Sequence, residues 1–203
     1  MSQPDFSALL RWPDVPACYG WLSLDRRGQW RLRGEAVTHA GLTGFLNRQY
    51  AHDELGNYFV QNGPQRVFVE LDYAPWVVWL TSSPAEAGAS FTLQTHSGEP
   101  VTAICQACID EEGNLLLELP MGVALVCDRD LPTMLHALRD REGVPADDDA
   151  LRSLLEWTPE SAPEAGGLVL HWRDQRIPVS AIRRVDVARR FGYVASPQAS
   201  ARP

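Results

Sequence analysis

The stretch Asp53-Glu54-Leu55-Gly56-Asn57-Tyr58-Phe59-Val60 has a counterpart 57 residues further on, Asp110-Glu111-Glu112-Gly113-Asn114-Leu115-Leu116-Leu117. In both, an acidic residue opens a turn, a glycine follows three positions later, and β-prone apolar residues lead away. Aspartate suits the first position because its carboxylate accepts backbone N–H bonds, and glycine supplies the positive φ that such a turn needs. At the same offset Val67-Phe68-Val69 lies over Ala124-Leu125-Val126, and Pro75 lies over Pro132. The pattern predicts one sheet-forming unit used twice. The competing reading is that Asp-x-x-Gly recurs because it is a common hairpin turn, and Asp25-Arg26-Arg27-Gly28-Gln29 is a third such turn. After the prolines the copies diverge: Pro75 leads into Trp and Val, Pro132 into a helical pattern.

Towards the N-terminus, Trp21–Leu24 and Gln29–Arg33 flank the Asp25 turn as a hairpin. Pro4–Trp12 reads as a short helix ended by Pro13 and Pro16. Thr38 is placed to cap a helix to about Tyr50, with Leu42, Phe45 and Leu46 on one face. Tyr58, Val60, Val67, Val69 and Leu71 alternate around Asn62-Gly63-Pro64 as a second hairpin. Pro75–Leu80 fits a buried strand or one helical turn equally.

Towards the C-terminus, Phe91–His96, Val101–Ile109, Leu115–Leu119 and Val123–Cys127 read as strands. Asp130 is expected to cap a helix through Arg141, with Pro132 in its first turn. Asp147-Asp148-Asp149 opens a further helix to Trp157, where carboxylates suit the positive end of the helix dipole. Thr158–Gly167 is a polar loop. Leu168–Trp172 and Arg176–Val179 form a last hairpin, and Ser180 is expected to cap a final helix that Gly192 stops.

The fold class is accordingly α+β and β-rich, with two related lobes of antiparallel hairpins, each with packed helices. The Ser/Pro/Ala/Gly composition of 83–90 reads as a linker. The expected organisation is an N-terminal lobe over 1–82, that linker, a C-terminal lobe over 91–194 and a disordered tail over 195–203.

The chain has 203 residues, 45% of them apolar, enough for packed cores. Its net charge of −8 lacks the basic footprint of nucleic-acid binding. All 18 basic residues are arginines, so a phosphate-loop lysine and Schiff-base chemistry are excluded. No apolar run approaches a membrane span, and the N-terminus does not read as a signal peptide. Four cysteines in such a chain are expected to be buried thiols in the cytoplasm.

Three features in order resemble a group of proteobacterial proteins built on a domain of unknown function with two small β-rich lobes. They are the Gly-Trp-Leu…Gly-x-Trp hairpin (Gly20 to Trp30), the Thr38-His39 to Leu46 helix, and Gly-Asn-Tyr-Phe-Val…Pro-Trp-Val-Val (Gly56 to Val78). The resemblance covers about the first 80 residues. It implies the two-lobed fold and a bacterial cytosolic setting, and it brings no activity, cofactor or catalytic residue.

No catalytic motif stands in the chain: there is no Gly-x-Ser-x-Gly elbow, no Gly-x-Gly-x-x-Gly and no His-Glu-x-x-His. Cys105-Gln106-Ala107-Cys108 offers half a zinc site, with Cys127, His96 or His136 to complete it only through the fold. In an alternating strand, residues three apart point to opposite faces, which favours structural thiols. His39 sits near Glu35 without a partner nucleophile, so a local hydrogen bond is its expected role. Arg183, Arg184, Arg189 and Arg190 in the last helix read as a solvated face; the alternative is an acidic partner or a phosphate-bearing ligand. The seven tryptophans read as core, with a partner-binding aromatic patch as the alternative. The polar hairpin tip carrying Asn62, Gln65 and Arg66 is the expected recognition loop.

The function these features favour is a non-enzymatic cytosolic binding or adaptor protein using an aromatic patch or an inter-lobe cleft, with no cofactor or metal. Its expected partner is a protein or small molecule, neither nucleic acid nor membrane. The rivals are an enzyme whose site is assembled from distant residues, such as His39 with a remote carboxylate, and a zinc-stabilised module using Cys105 and Cys108.

Overall fold

A computed structural model describes residues 13, 15–82, 91–155 and 167–199. It is α+β and β-rich, and it divides into two units: one takes the chain up to Asp25, Gln29–Tyr73 and the residues from Gly192 on, the other Arg26–Gly28 and Ala74–Phe191.

The first unit holds β1 (Ala17–Leu24), β2 (Trp30–Leu32), β3 (Glu35–Ala36), α1 (Ala40–Gln49), β4 (Tyr50–His52), β5 (Tyr58–Asn62) and β6 (Gln65–Leu71). Its sheet runs β3-β2-β1-β6-β5-β4. Only the β1–β6 pair is parallel, with Leu22 level with Val69 and Leu24 with Leu71. The core gathers Leu22, Leu24, Trp30, Leu46, Val60, Val67 and Val69, none more than 1% exposed. The Trp30 indole N–H, buried with its ring, donates to Asn47 Oδ1 at 2.6 Å.

The second unit holds β7 (Trp76–Ser82), β8 (Thr92–Thr95), β9 (Gln106–Asp110), β10 (Leu115–Leu119), β11 (Gly122–Val126), α2 (Leu131–Leu135), β12 (Leu138–Arg139), α3 (Asp148–Leu155), β13 (Val169–Trp172), β14 (Gln175–Ile182) and α4 (Arg184–Arg190). Its sheet runs β12-β13-β14-β9-β10-β11-β7-β8.

The predicted repeat is present in strand order and in register. β2-β1-β6-β5-β4 in one sheet matches β8-β7-β11-β10-β9 in the other. Phe59 is level with Phe68 and Leu116 with Leu125; Tyr50 is level with Val60 and Ala107 with Leu117. These pairs are related by the same 57-residue offset as the sequence. In both copies the last strand of the meander lies parallel to the first strand of the hairpin. The turns match atom for atom. Asn57 N donates to Asp53 Oδ1 at 2.9 Å and Asn114 N to Asp110 Oδ1 at 2.9 Å, and each Asn amide also donates to its Asp carboxylate. Gly56 and Gly113 take φ of +79° and +82°. The turn recurs at Thr95–Glu99 and Asp140–Val144, so the turn alone is common. What marks the repeat is the shared register of the three strands around it.

Several expectations are corrected. Trp76–Ser82 belongs to the second sheet, pairing with β11 and β8, so the division falls between Tyr73 and Ala74 and not at residue 82. The 83–90 segment, expected as the linker, lies outside the described residues; it joins two strands of one sheet, and Val78 and Leu93 on its two sides share one core. The segment expected to be a disordered tail is held at its start: Leu71 N donates to Ala195 O at 2.8 Å, and Pro197 is buried. His39, not Thr38, caps α1, its Nδ1 accepting from Leu42 N at 3.2 Å. The helix after Asp130 stops at Leu135, because Leu138 is taken into the sheet by pairing with Leu170, and at its start the Asp130 carboxylate accepts from Leu80 N at 2.9 Å instead of capping. Ser180 lies inside β14 and not at a helix start. The expected cap of α3 is present, Asp147 Oδ1 accepting from Ala150 N at 2.8 Å. The Pro4–Trp12 helix falls outside the described residues.

Candidate functional site

The expected recognition tip is engaged with its own surroundings. The Gln65 amide donates to Pro13 O at 2.7 Å and Val15 O at 2.6 Å, and Asn62 donates to Gln65 Oε1 at 3.4 Å. The Arg66 guanidinium lies 4.6 Å from the centre of the Phe59 ring. Cys105 is exposed and Cys108 buried. Among the described residues no three His, Cys, Asp or Glu side chains gather as a metal centre would need. Of the described tryptophans, Trp30 and Trp172 are buried and Trp21, Trp76 and Trp79 half-buried.

A different constellation forms in the second unit, where β14 lies parallel to β9 with Ser180 level with Cys108. Ala107, Ile109 and Val179 point into the core. Strand alternation therefore sends Gln106, Cys108, Ser180 and Ile182 to the opposite face. There they floor a cavity of about 660 Å³ whose rim is Arg183, Asp186, Arg189 and Arg190. Strand β14 ends at Ile182 and α4 starts at Arg184, so one short connection brings these side chains over the floor.

The floor is polar but uncharged. Cys108 Sγ lies 3.3 Å from Ser180 Oγ, and the Gln106 amide donates to Ser180 Oγ at 3.2 Å. Burial, with a smaller contribution from the Glu118 charge, pushes the Cys108 thiol up, more than the Ser180 hydrogen bond and the Arg190 charge pull it down. It is a neutral thiol at pH 7 and a poor nucleophile. Among the described residues the lining holds no histidine beside Ser180. The rim carries three guanidinium groups against one carboxylate. Arg189 donates to Asp186 at 2.7 Å and Arg190 to Gln106 Oε1 at 3.1 Å, while Arg183 is exposed. The arrangement is fit for holding an anion.

Helix α4 is pinned from the second copy of the repeated turn. Glu111 Oε2 accepts the Arg184 backbone N–H at 2.8 Å, supplying the cap that Arg183 does not, and Glu112 takes the Arg184 side chain at 2.5 and 2.6 Å. The Arg184 hydrogen bond holds the Glu112 carboxyl below its ordinary range, with smaller contributions from Asn114 and Arg26. The arginine run was visible in the sequence. The floor was not, since Cys108 and Ser180 are 72 positions apart and meet only through parallel pairing.

Comparison with known proteins places the fold. No curated protein matches the chain. Among solved structures, a DUF1285 family protein from Silicibacter pomeroyi DSS-3 is similar over 90% of both chains, at 14% identity and a TM-score of 0.54. A DUF1285 family protein from Shewanella baltica OS155 covers 54% of this chain and 86% of its own, at 15% identity and a TM-score of 0.41. The first of these likenesses is one of fold. The family model DUF2944, described as "Protein of unknown function (DUF2946)", matches residues 1–198, and the chain belongs to that family.

Proposed function

We propose that this chain is a non-enzymatic binding protein that takes a small carboxylate- or phosphate-bearing ligand in the pocket between β9, β14 and α4. The observation that carries the reading is the rim: Arg183, Arg189 and Arg190 surround a neutral polar floor, with Asp186 the one carboxylate in the lining and Glu118 beside Gln106 on the neighbouring strand. Guanidinium groups bind planar oxyanions through paired N–H donors, and each charge-assisted hydrogen bond is worth about 1.5–3 kcal/mol. The same reading puts the protein in the cytoplasm. Its four cysteines are free thiols, and no helix among the described residues is long and apolar enough to cross a membrane.

Calorimetric titration with inorganic phosphate and with succinate tests the proposal. Arg183→Ala and Arg190→Ala are each expected to weaken the bound anion about tenfold or more. Absence of heat with both anions, or affinities indifferent to both substitutions, removes the reading.

A further inference from the structure

The arginine rim does not stop at the pocket. On β14 the alternation that puts Ser180 and Ile182 over the cavity also puts Arg176 and Pro178 on the same face, while Ile177 and Val179 are buried on the other. Both Arg176 and Pro178 are exposed. The next strand continues the row: His171 is level with Arg176, and Val169 with Pro178, while Leu170 and Trp172 turn into the core. Beyond it Arg139 is level with Val169; one of its guanidinium nitrogens donates to His136 O at 2.6 Å and Leu138 O at 3.0 Å, leaving its other N–H groups to face a ligand. Burial, then the charges of Arg176 and Arg139, hold the His171 imidazole below its ordinary range. In a protein of net charge −8, Arg176 and Arg139 continue the arginine row of the pocket along this face, with Asp140, Glu142 and Asp174 in the turns that border it.

We infer that this open face of β14, β13 and β12 is a docking surface for an extended acidic peptide whose carboxylates lie against Arg176 and Arg139 and whose end enters the arginine-rimmed pocket. The inference rests on the anion-binding reading of that pocket and extends it. From Arg176 to Ile182 the strand rises about 20 Å, the length of a six-residue extended segment. Side chains on one face of such a segment recur about every 7 Å, matching the two-residue spacing along β14. Val169 and Pro178 give the peptide apolar contact between the charged groups. Single-stranded nucleic acid is the weaker fit, because base stacking needs aromatic platforms. Trp172, on the strand beneath, faces the core and is 1% exposed.

The experiment uses the full chain and a fluorescein-labelled hexapeptide of alternating Glu and Ala, followed by fluorescence anisotropy, with inorganic phosphate titrated separately. The expected result is peptide binding that falls steeply with salt and weakens at least tenfold in Arg176→Glu. Pro178→Glu, which adds a carboxylate to the same row, is expected to act likewise. Both variants are expected to keep the parent's melting temperature and its phosphate affinity. Phosphate binding without peptide binding overturns the docking surface and leaves the pocket standing. Absence of both removes the pocket reading as well. Peptide binding indifferent to both substitutions, or labelled oligouridylate bound more tightly than the peptide, also overturns the docking surface.

Discussion

His96 is a basic residue placed where charge is costly. It is 5% exposed, it lies against the Trp76 ring, and its backbone N–H donates to Val77 O at 2.8 Å. Burial lowers its pKa from the usual 6.5 to about 3. The unfolded chain therefore binds a proton that the folded chain refuses between those values, and stability rises with pH across that window. From pH 6.5 to pH 5 this single group removes about 2 kcal/mol, an upper figure for a site that can relax. Urea unfolding at pH 7 and pH 5 should show the loss in the parent, and His96→Gln should flatten it. An equal slope in that variant would assign the acid sensitivity elsewhere. Asp53 is also shifted down, by a different cause. Burial alone would raise it, yet hydrogen bonds from the Asn57 side chain and from the backbone of Asn57 and Leu55 hold it low. Its contribution is present above about pH 4 and is lost as pH falls further, so the two effects occupy separate windows.

At the scale of elements, α4 is a seven-residue helix with no side-chain cap of its own. Its start depends on Glu111, which belongs to the repeated turn after β9. Removing that acceptor in Glu111→Ala should cost about 1 kcal/mol, the usual loss of a helix cap. Because Arg189 and Arg190 are carried on α4, phosphate affinity should fall several-fold with it, while Glu111→Gln, which keeps a side-chain oxygen, should restore most of both. Calorimetry and a melting curve on the two variants check this, and unchanged affinity in Glu111→Ala would show α4 to be held by packing alone. The elements also show what the sequence discloses. Asp53–Asn57, Asp110–Asn114 and Asp147 were legible because each satisfies its hydrogen bonds within five residues. The strand pairings β1–β6, β7–β11 and β9–β14 were not, because parallel partners lie far apart and no turn announces them. Asp130 misled for the same reason: its carboxylate suits a helix cap locally, but Leu80, fifty positions away, takes it first. The arginines of the candidate site were therefore readable and its floor was not.

At the scale of the whole chain, the two sheets reuse one five-strand plan but finish it differently. In the second unit the edge strand of the plan, β9, is extended by β14, β13 and β12. In the first unit the equivalent strand, β4, ends the sheet, and the chain returns to this unit only with Gly192 and the residues after it. That return is tightly fitted. Val194 N donates to Gly56 O at 2.9 Å, the Tyr193 hydroxyl donates to Tyr73 O at 2.6 Å, and Ala195 O accepts from Leu71 N. A side chain at Gly56 would place its Cβ 2.1 Å from Gly192 O, so the glycine serves this contact as well as the turn. Residues 192–197 are thus part of the first core. Their loss removes the partners of three backbone groups, Gly56 O, Leu71 N and Tyr73 O, each costing about 1–3 kcal/mol if left unsatisfied. Deletion of residues 192–203 should therefore accelerate amide hydrogen exchange along β5 and β6 far more than along β10 and β13. Equal protection of β5 and β6 with and without the segment would mean that the first sheet is complete at Tyr73.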